Sequence, residues 1–232
     1  DSNRGFVASV NAAAALNPDR DFVILNADTE VARDWLQRLR QHGADHPAAA
    51  TVTPFSNNAT IASYPKLVTN NALPPYEHTD DFHKRFAKVN HGQVLEIPTA
   101  VGFCTWIRRG AWEDAEGFDP IFGRGYGEEV DFCCKLSARG WQHLLATDVF
   151  VYHEGGVSFG AEAIERRTNA QKIVDARYPG YGESVQRWVQ KDPAKPYRLA
   201  VDLDRLGDRS GPKWLFISHS LGGGVQQHVN DL

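Results

Sequence analysis

Gly125-Tyr126-Gly127-Glu128-Glu129-Val130-Asp131-Phe132-Cys133-Cys134-Lys135-Leu136 is the stretch that decides the reading of this chain. A glycine-rich turn ends on two carboxylates, and a helix begins there. With the helix start near Glu128, residues Glu129, Phe132, Cys133 and Leu136 fall at i, i+3, i+4 and i+7 and share one face. That face is otherwise apolar, so it points inward. A carboxylate on a buried stripe costs roughly several kcal/mol unless something uses it. The helix N-terminus offsets part of that cost, because its dipole favours an anion. A fixed, ionised carboxylate at the lip of a glycine loop is what a general base requires. Glu128 and Asp131 fall on the outward row, where Asp131 can pair with Lys135 at i+4. The competing reading makes both glutamates ordinary first-turn acids that support the helix start.

A second segment narrows the choice. Phe22-Val23-Ile24-Leu25 is a short apolar run with β-branched residues and reads as a buried strand. It ends in Asn26-Ala27-Asp28-Thr29, after which Val31, Trp35, Leu36 and Leu39 set up a helical stripe. Polar residues beyond the carboxyl end of a strand in an open α/β sheet sit where ligands bind. Asn26 and Asp28 are two apart, so on a locally extended chain they share a face and can offer hard oxygens to Mg²⁺ or Mn²⁺. The alternative is a helix N-cap supplied by Asp28 or Thr29.

Taken together, the motifs resemble the family-two glycosyltransferases of the GT-A fold, over roughly residues 1–160. The resemblance runs through Asn3-Arg4-Gly5-Phe6 with Asn11, and Phe22 to Thr29. It continues through Gly102-Phe103-Cys104-Thr105-Trp106-Ile107-Arg108-Arg109 and Gly117-Phe118-Asp119-Pro120-Ile121-Phe122. It closes with Gly125 to Phe132, and Val151-Tyr152-His153-Glu154-Gly155-Gly156-Val157-Ser158-Phe159. Each piece is weak alone, but six in order make a strong signal. The resemblance implies an α/β fold with a mixed sheet flanked by helices. It implies that Asn26-Ala27-Asp28 is the Asp-x-Asp element, with Asp28 on the metal. Its first acid is Asn here, a variant similar to rhamnosyl- and related sugar transferases. It further implies that Glu129 is the catalytic base, supported by Glu128 and Asp131, and that His153 helps hold Mg²⁺ or Mn²⁺ and the diphosphate. Donor contacts are expected at Asn11, Asn26, Asp28 and Gly102. Gly102 stands where only a small residue leaves room for a sugar. Partners would be a nucleoside-diphosphate sugar and a glycan or lipid-linked glycan acceptor.

Composition fits a globular enzyme. The chain has 232 residues, 42% hydrophobic and 23% charged, with net charge −4 from 25 Lys and Arg against 29 Asp and Glu. That balance argues against a general nucleic-acid binder. No apolar run approaches the length of a membrane span; peripheral contact with a membrane stays compatible. The three cysteines, Cys104, Cys133 and Cys134, form no disulfide or metal framework and read as small core residues in a cytoplasmic protein.

The chain contains no methionine and opens on residues that, in the family, follow the first strands of the fold. A truncated front is therefore expected, with the nucleotide-base pocket upstream. At the other end, Trp214-Leu215-Phe216-Ile217-Ser218-His219-Ser220 followed by Leu221-Gly222-Gly223-Gly224 resembles the first strand and loop of a family-four GT-B glycosyltransferase. The expected division is a GT-A domain over 1–192, a linker over 193–212 and the start of a second domain over 213–232.

Elsewhere, Phe6 to Leu16 reads as a helix with Phe6, Val10, Ala13 and Ala14 inward. Ala48 to Thr53 reads as a strand ending at Pro54, and Leu95 to Ile107 as one extended strand. Leu144 to Tyr152 reads as a last strand ending at His153, and Ala161 to Tyr178 as a helix with a solvated Arg166, Arg167 and Lys172 face. Ser56, Asn57 and Asn58 could reach sugar hydroxyls or simply satisfy their own turn. The functional expectation is inverting, metal-dependent sugar transfer in cell-surface polysaccharide or lipopolysaccharide synthesis. The alternative is a non-catalytic glycan-binding or degenerate domain of a larger assembly protein.

Overall fold

The computed structural model describes residues 4–73, 77–155, 161–208 and 210–211. Residues 156–159 of the closing motif and the glycine loop at 213–232 lie outside them. The chain opens with α1 (Phe6–Ala15), β1 (Phe22–Leu25), β2 (Thr29–Val31), α2 (Trp35–Asp45) and β3 (Ala49–Phe55). Next come α3 (Thr79–Val89), β4 (Val94–Glu96), β5 (Cys104–Ile107) and α4 (Arg109–Asp114). It continues with α5 (Glu128–Ser137), β6 (Gln142–His153), α6 (Ala161–Arg177), α7 (Tyr181–Lys191) and α8 (Lys195–Asp208).

The strands form a six-stranded mixed sheet in the order β1-β5-β3-β6-β2, with β4 also on β6. β3 and β6 run parallel; the other pairs are antiparallel. β3 is buried at every position, as a strand covered on both faces should be. One face packs Phe55, Phe82, Phe86 and Phe150 in ring contacts of 5.2–5.3 Å. The other packs Trp112, Phe118 and Phe132 at 5.1–5.6 Å. Such offset and edge-to-face pairs add to plain burial. Gly43 of α2 lies flat on the Trp106 indole, where an added Cβ would sit 2.4–2.7 Å from ring atoms.

Several expectations need correction. Val31 does not begin a helix. Thr29–Val31 pairs with β6, with Thr29 opposite His153, and the helix starts at Trp35. Pairing with β6 overrides the apolar spacing. Pro54 does not end β3, because the strand continues to Phe55, with a register shift on β6 at that point. Leu95 to Ile107 is two strands, separated by an irregular segment that crosses the site. In α1 the buried residues are Val7 and Ala14, and Ala13 is exposed. The stretch expected as linker holds α8, which is docked on the sheet domain. Val201 is fully buried, Tyr64 donates to Asp202 (2.6 Å), and Asp204 bridges Arg85 and Lys88 (2.9 and 2.5 Å). Its prolines and charges read as linker, but its apolar face finds a partner in α3.

Candidate active site

β2 pairs with the end of β6, so Asp28, just before β2, meets His153. The His153 Nε2 to Asp28 Oδ2 distance is 3.4 Å. His153 Nδ1 lies 2.7 Å from the Asn58 carbonyl oxygen, which can only accept. In the neutral ring the proton therefore sits on Nδ1, and the Nε2 lone pair faces the carboxylate. Two electron-rich atoms aimed at one point fit a shared cation. An imidazole whose other nitrogen bonds a backbone carbonyl is the usual support for a metal ligand. Among the described residues no group of three His, Cys, Asp or Glu gathers here. The pair thus suits a hard ion that completes its shell with phosphate and water oxygens, as Mg²⁺ and Mn²⁺ do.

The supports of His153 come from a segment whose sequence leaves two roles open, sugar contact or a self-satisfied turn. Asn57 does not face a ligand. It is buried, its Nδ2 donates to the His153 carbonyl (3.0 Å), and its Oδ1 accepts from the His153 amide (2.8 Å). Phe103 stacks on the imidazole at 5.1 Å. Gly155, at φ +62°, is packed so closely that a Cβ would lie 1.9 Å from Asn58 Nδ2. The one sequence signal was the Asn57-Asn58 pair itself; nothing in it says which groups the amides serve.

The second part of the site is the start of α5. Gly127 adopts φ +85° there, and a Cβ on it would meet the Phe122 ring and Ala170 of α6 at 3.0–3.1 Å. Phe132, Cys133 and Leu136 are buried, as the helical phase required. Glu129 shares their face and is half-buried, and its Oε2 is sealed from solvent with no hydrogen-bond partner. Burial raises its pKa; the amides of Gly127, Glu129 and Val130 oppose that only in part. Glu128 and Asp131 are not outward. Glu128 is 6% exposed and Asp131 1%. The row is covered by α6, whose Arg177 bonds Asp131 (2.7 Å) and Asp119 (2.8 Å), while Tyr178 donates to Asp131 (2.9 Å). The expected Lys135 partner of Asp131 is present at 3.8 Å. Glu128 has no such partner for Oε2, and burial followed by the Glu129 charge pushes its carboxyl up to about 8.

The two parts are joined by consecutive residues. Gly102 faces Glu129, so that a Cβ would lie 3.9 Å from the carboxyl carbon, and Phe103 is the ring on His153. That distance is ordinary contact, so the protein atoms alone leave space for a methyl at position 102. The Asn26 amide donates to the Phe103 carbonyl (2.8 Å), which ties the Asp28 turn to the same segment. Asn11 is not brought in. Its amide is used on Phe118, donating to the carbonyl (2.8 Å) and accepting from the N–H (3.1 Å). Cys104, Cys133 and Cys134 have thiol pKa values raised by burial, as core residues do. Glu129 also opens onto a cleft of ≈ 570 Å³ beside α7, a wall that sequence reading did not anticipate. No described helix is long and apolar enough to cross a membrane.

No family model matches this sequence. No curated protein matches it either. Among solved structures it is similar to GalNAc-T7, crystallised with UDP, GalNAc and Mn²⁺, at 14% identity and a TM-score of 0.54. The likeness covers 87% of this chain and 42% of that one, so the chain spans less than half the length of that protein. At this identity the likeness is one of architecture: the chain has a GT-A-like glycosyltransferase fold, a mixed sheet flanked by helices.

Proposed function

We propose that this chain transfers a sugar from a nucleoside-diphosphate donor to an acceptor hydroxyl, with inversion at the anomeric carbon. The rhamnosyltransferase-like Asn26-Ala27-Asp28 turn suggests its donor class, and cell-surface polysaccharide or lipopolysaccharide synthesis its setting. The observation that carries the proposal is the Gly102-Phe103 junction, which links a metal-competent Asp28–His153 pair to Glu129, a half-buried carboxylate with one sealed oxygen that has no hydrogen-bond partner. The fold likeness to a protein that binds UDP, GalNAc and Mn²⁺ supports the same donor and metal classes.

Asp28 and His153 would hold a divalent ion, which would supply positive charge against the departing diphosphate. Glu129 takes the proton of the acceptor hydroxyl. The hydroxyl oxygen forms a bond to the anomeric carbon, and the bond from that carbon to the diphosphate oxygen breaks. Its electron pair leaves with the nucleoside diphosphate. Attack from the face opposite the leaving group inverts the centre. A raised carboxyl pKa suits this role, since a base works best when its pKa approaches the working pH. Asp131, held by Arg177 and Tyr178, fixes the first turn of α5, and Glu128 lies next to the base in that turn.

The test is nucleoside-diphosphate release from a panel of nucleotide sugars with Mn²⁺, followed by NMR of the product's anomeric centre. Inverted product is expected. Retained configuration would remove Glu129 from the role of base. Acceptor binding without turnover by any donor would favour a glycan-binding module instead.

A further inference from the structure

We infer that the acceptor carries an aliphatic body, which lies in the cleft along α7 with its hydroxyl end at Glu129. This rests on the transfer reading above and adds the acceptor's chemical class. Three observations carry it.

The first is the cleft's composition. It is ≈ 570 Å³, large enough for a substantial ligand, and its walls are Ile61, Val101 and Val130 on one side and Val185 and Val189 on the other. The polar residues lining it, Thr60, Thr99, Tyr181, Gln186 and Gln190, are neutral, and Glu129 is the one charged residue at its wall among those described. A diphosphate finds no cation there. An oligosaccharide finds few of the paired donors and acceptors that its hydroxyls need.

The second is how α7 is held. No α7 residue is buried, although Tyr181, Val185 and Val189 are spaced to share one face. Trp188 anchors that same side of the helix, donating to the Glu96 carbonyl (3.2 Å). The valines therefore pack in part on the core, and their remaining surface lines the cleft.

The third is the opposite rim. Val68 is 61% exposed and sits at φ +55°, with Thr60 at φ +44°. A β-branched residue in the left-handed region is strained, and such strain is characteristic of ligand clamps. Placing a valine outward at that rim extends the apolar wall.

The experiment measures binding of glucose and of hexyl, octyl and decyl glucosides to the whole chain below micelle-forming concentrations, without donor or metal. Affinity should rise roughly three- to fourfold per added methylene until the cleft is filled, the increment expected for burying one methylene. Val185→Gln and Val189→Gln should flatten that series, measured below each variant's own melting temperature. Glu129→Gln should leave the chain-length dependence intact. Affinity independent of chain length, or equal for glucose and decyl glucoside, overturns the inference and leaves the transfer reading standing. A normal chain-length series with no donor turned over in the release assay would do the reverse.

Discussion

The two halves of the site handle their polar atoms in opposite ways. At His153 the backbone and the ring Nδ1 have hydrogen-bond partners, drawn from Asn57 and Asn58, and the imidazole is stacked on Phe103. At the start of α5, Glu128 and Glu129 each bury an oxygen with no partner at all. The first arrangement fixes an orientation and leaves little to adjust. The second leaves protonation as its free variable, because desolvation is what moves both carboxyls. A metal half needs direction and a base half needs basicity, and the fold supplies each by a different means.

The sharpest way to break that contrast is Glu129→Gln, which keeps shape and removes basicity. Turnover should fall about 10²–10⁴-fold, the usual cost of losing a general base, while donor binding stays within a few-fold. Parallel loss of donor binding, measured by calorimetry, would mean Glu129 belongs to the binding half. Next in size is the support of the metal half. Asn57→Ala removes both clamps on the His153 backbone and should weaken Mn²⁺ binding by about 10–100-fold, as loss of an outer-shell partner does. Titration of Mn²⁺ paramagnetic relaxation would read it, and Asp28→Asn should lose more. An unchanged Mn²⁺ affinity in Asn57→Ala would show that orientation is not what the clamp provides.

A smaller effect lies in pH and stability. Glu128 titrates from 4.5 unfolded to about 8 folded, so the folded chain holds the extra proton. Its contribution to stability is complete below 4.5 and is lost as pH rises through about 8. His143, lowered by burial to about 4 from 6.5, tilts stability the other way between those values. The clear window is therefore about pH 6.5 to 8, where melting temperature should fall as pH rises. Glu128→Gln should lessen that slope, leaving the share due to Glu129; a slope unchanged in the variant would place the titration elsewhere. The smallest effect expected is for Gly102→Ala. Its added methyl would make ordinary contact with Glu129, so kcat should change by no more than a few-fold. A large loss would show that the junction is tighter on donor binding than it is here.

Much of this was legible from residue spacing. Phe22–Leu25 and the run to His153 are strands, as their apolar runs predict, but only the second is buried along its length; β1 is the end strand of the order, with Ile24 alone buried and Leu25 exposed. Phe132, Cys133 and Leu136 face inward because the helical period places them together. What escaped reading was set by partners distant in sequence. Glu128 and Asp131 are outward by period alone, yet α6 lies over them and Arg177 supplies the countercharge. Thr29–Val31 is a strand only because β6 arrives beside it. Asn57 serves a backbone almost a hundred residues away in sequence. α8 looked like linker because the arginines and aspartates that seat it are indistinguishable, in sequence, from a solvated face.

β6 is the strand that β2, β3 and β4 all require, and it comes last among them in the chain. Until it docks, β2 and β4 have no partner and only β1, β5 and β3 can pair. Folding must therefore close long loops before most of the sheet is rewarded, which makes slow, late assembly the expected kinetic character of this chain. His153 is the final residue of that strand and Asp28 lies at the far side of the longest closure. The ion-binding pair is thus completed by the same event that completes the sheet. In a refolding experiment, recovery of divalent-metal affinity should track the slowest phase rather than the burst of helix formation.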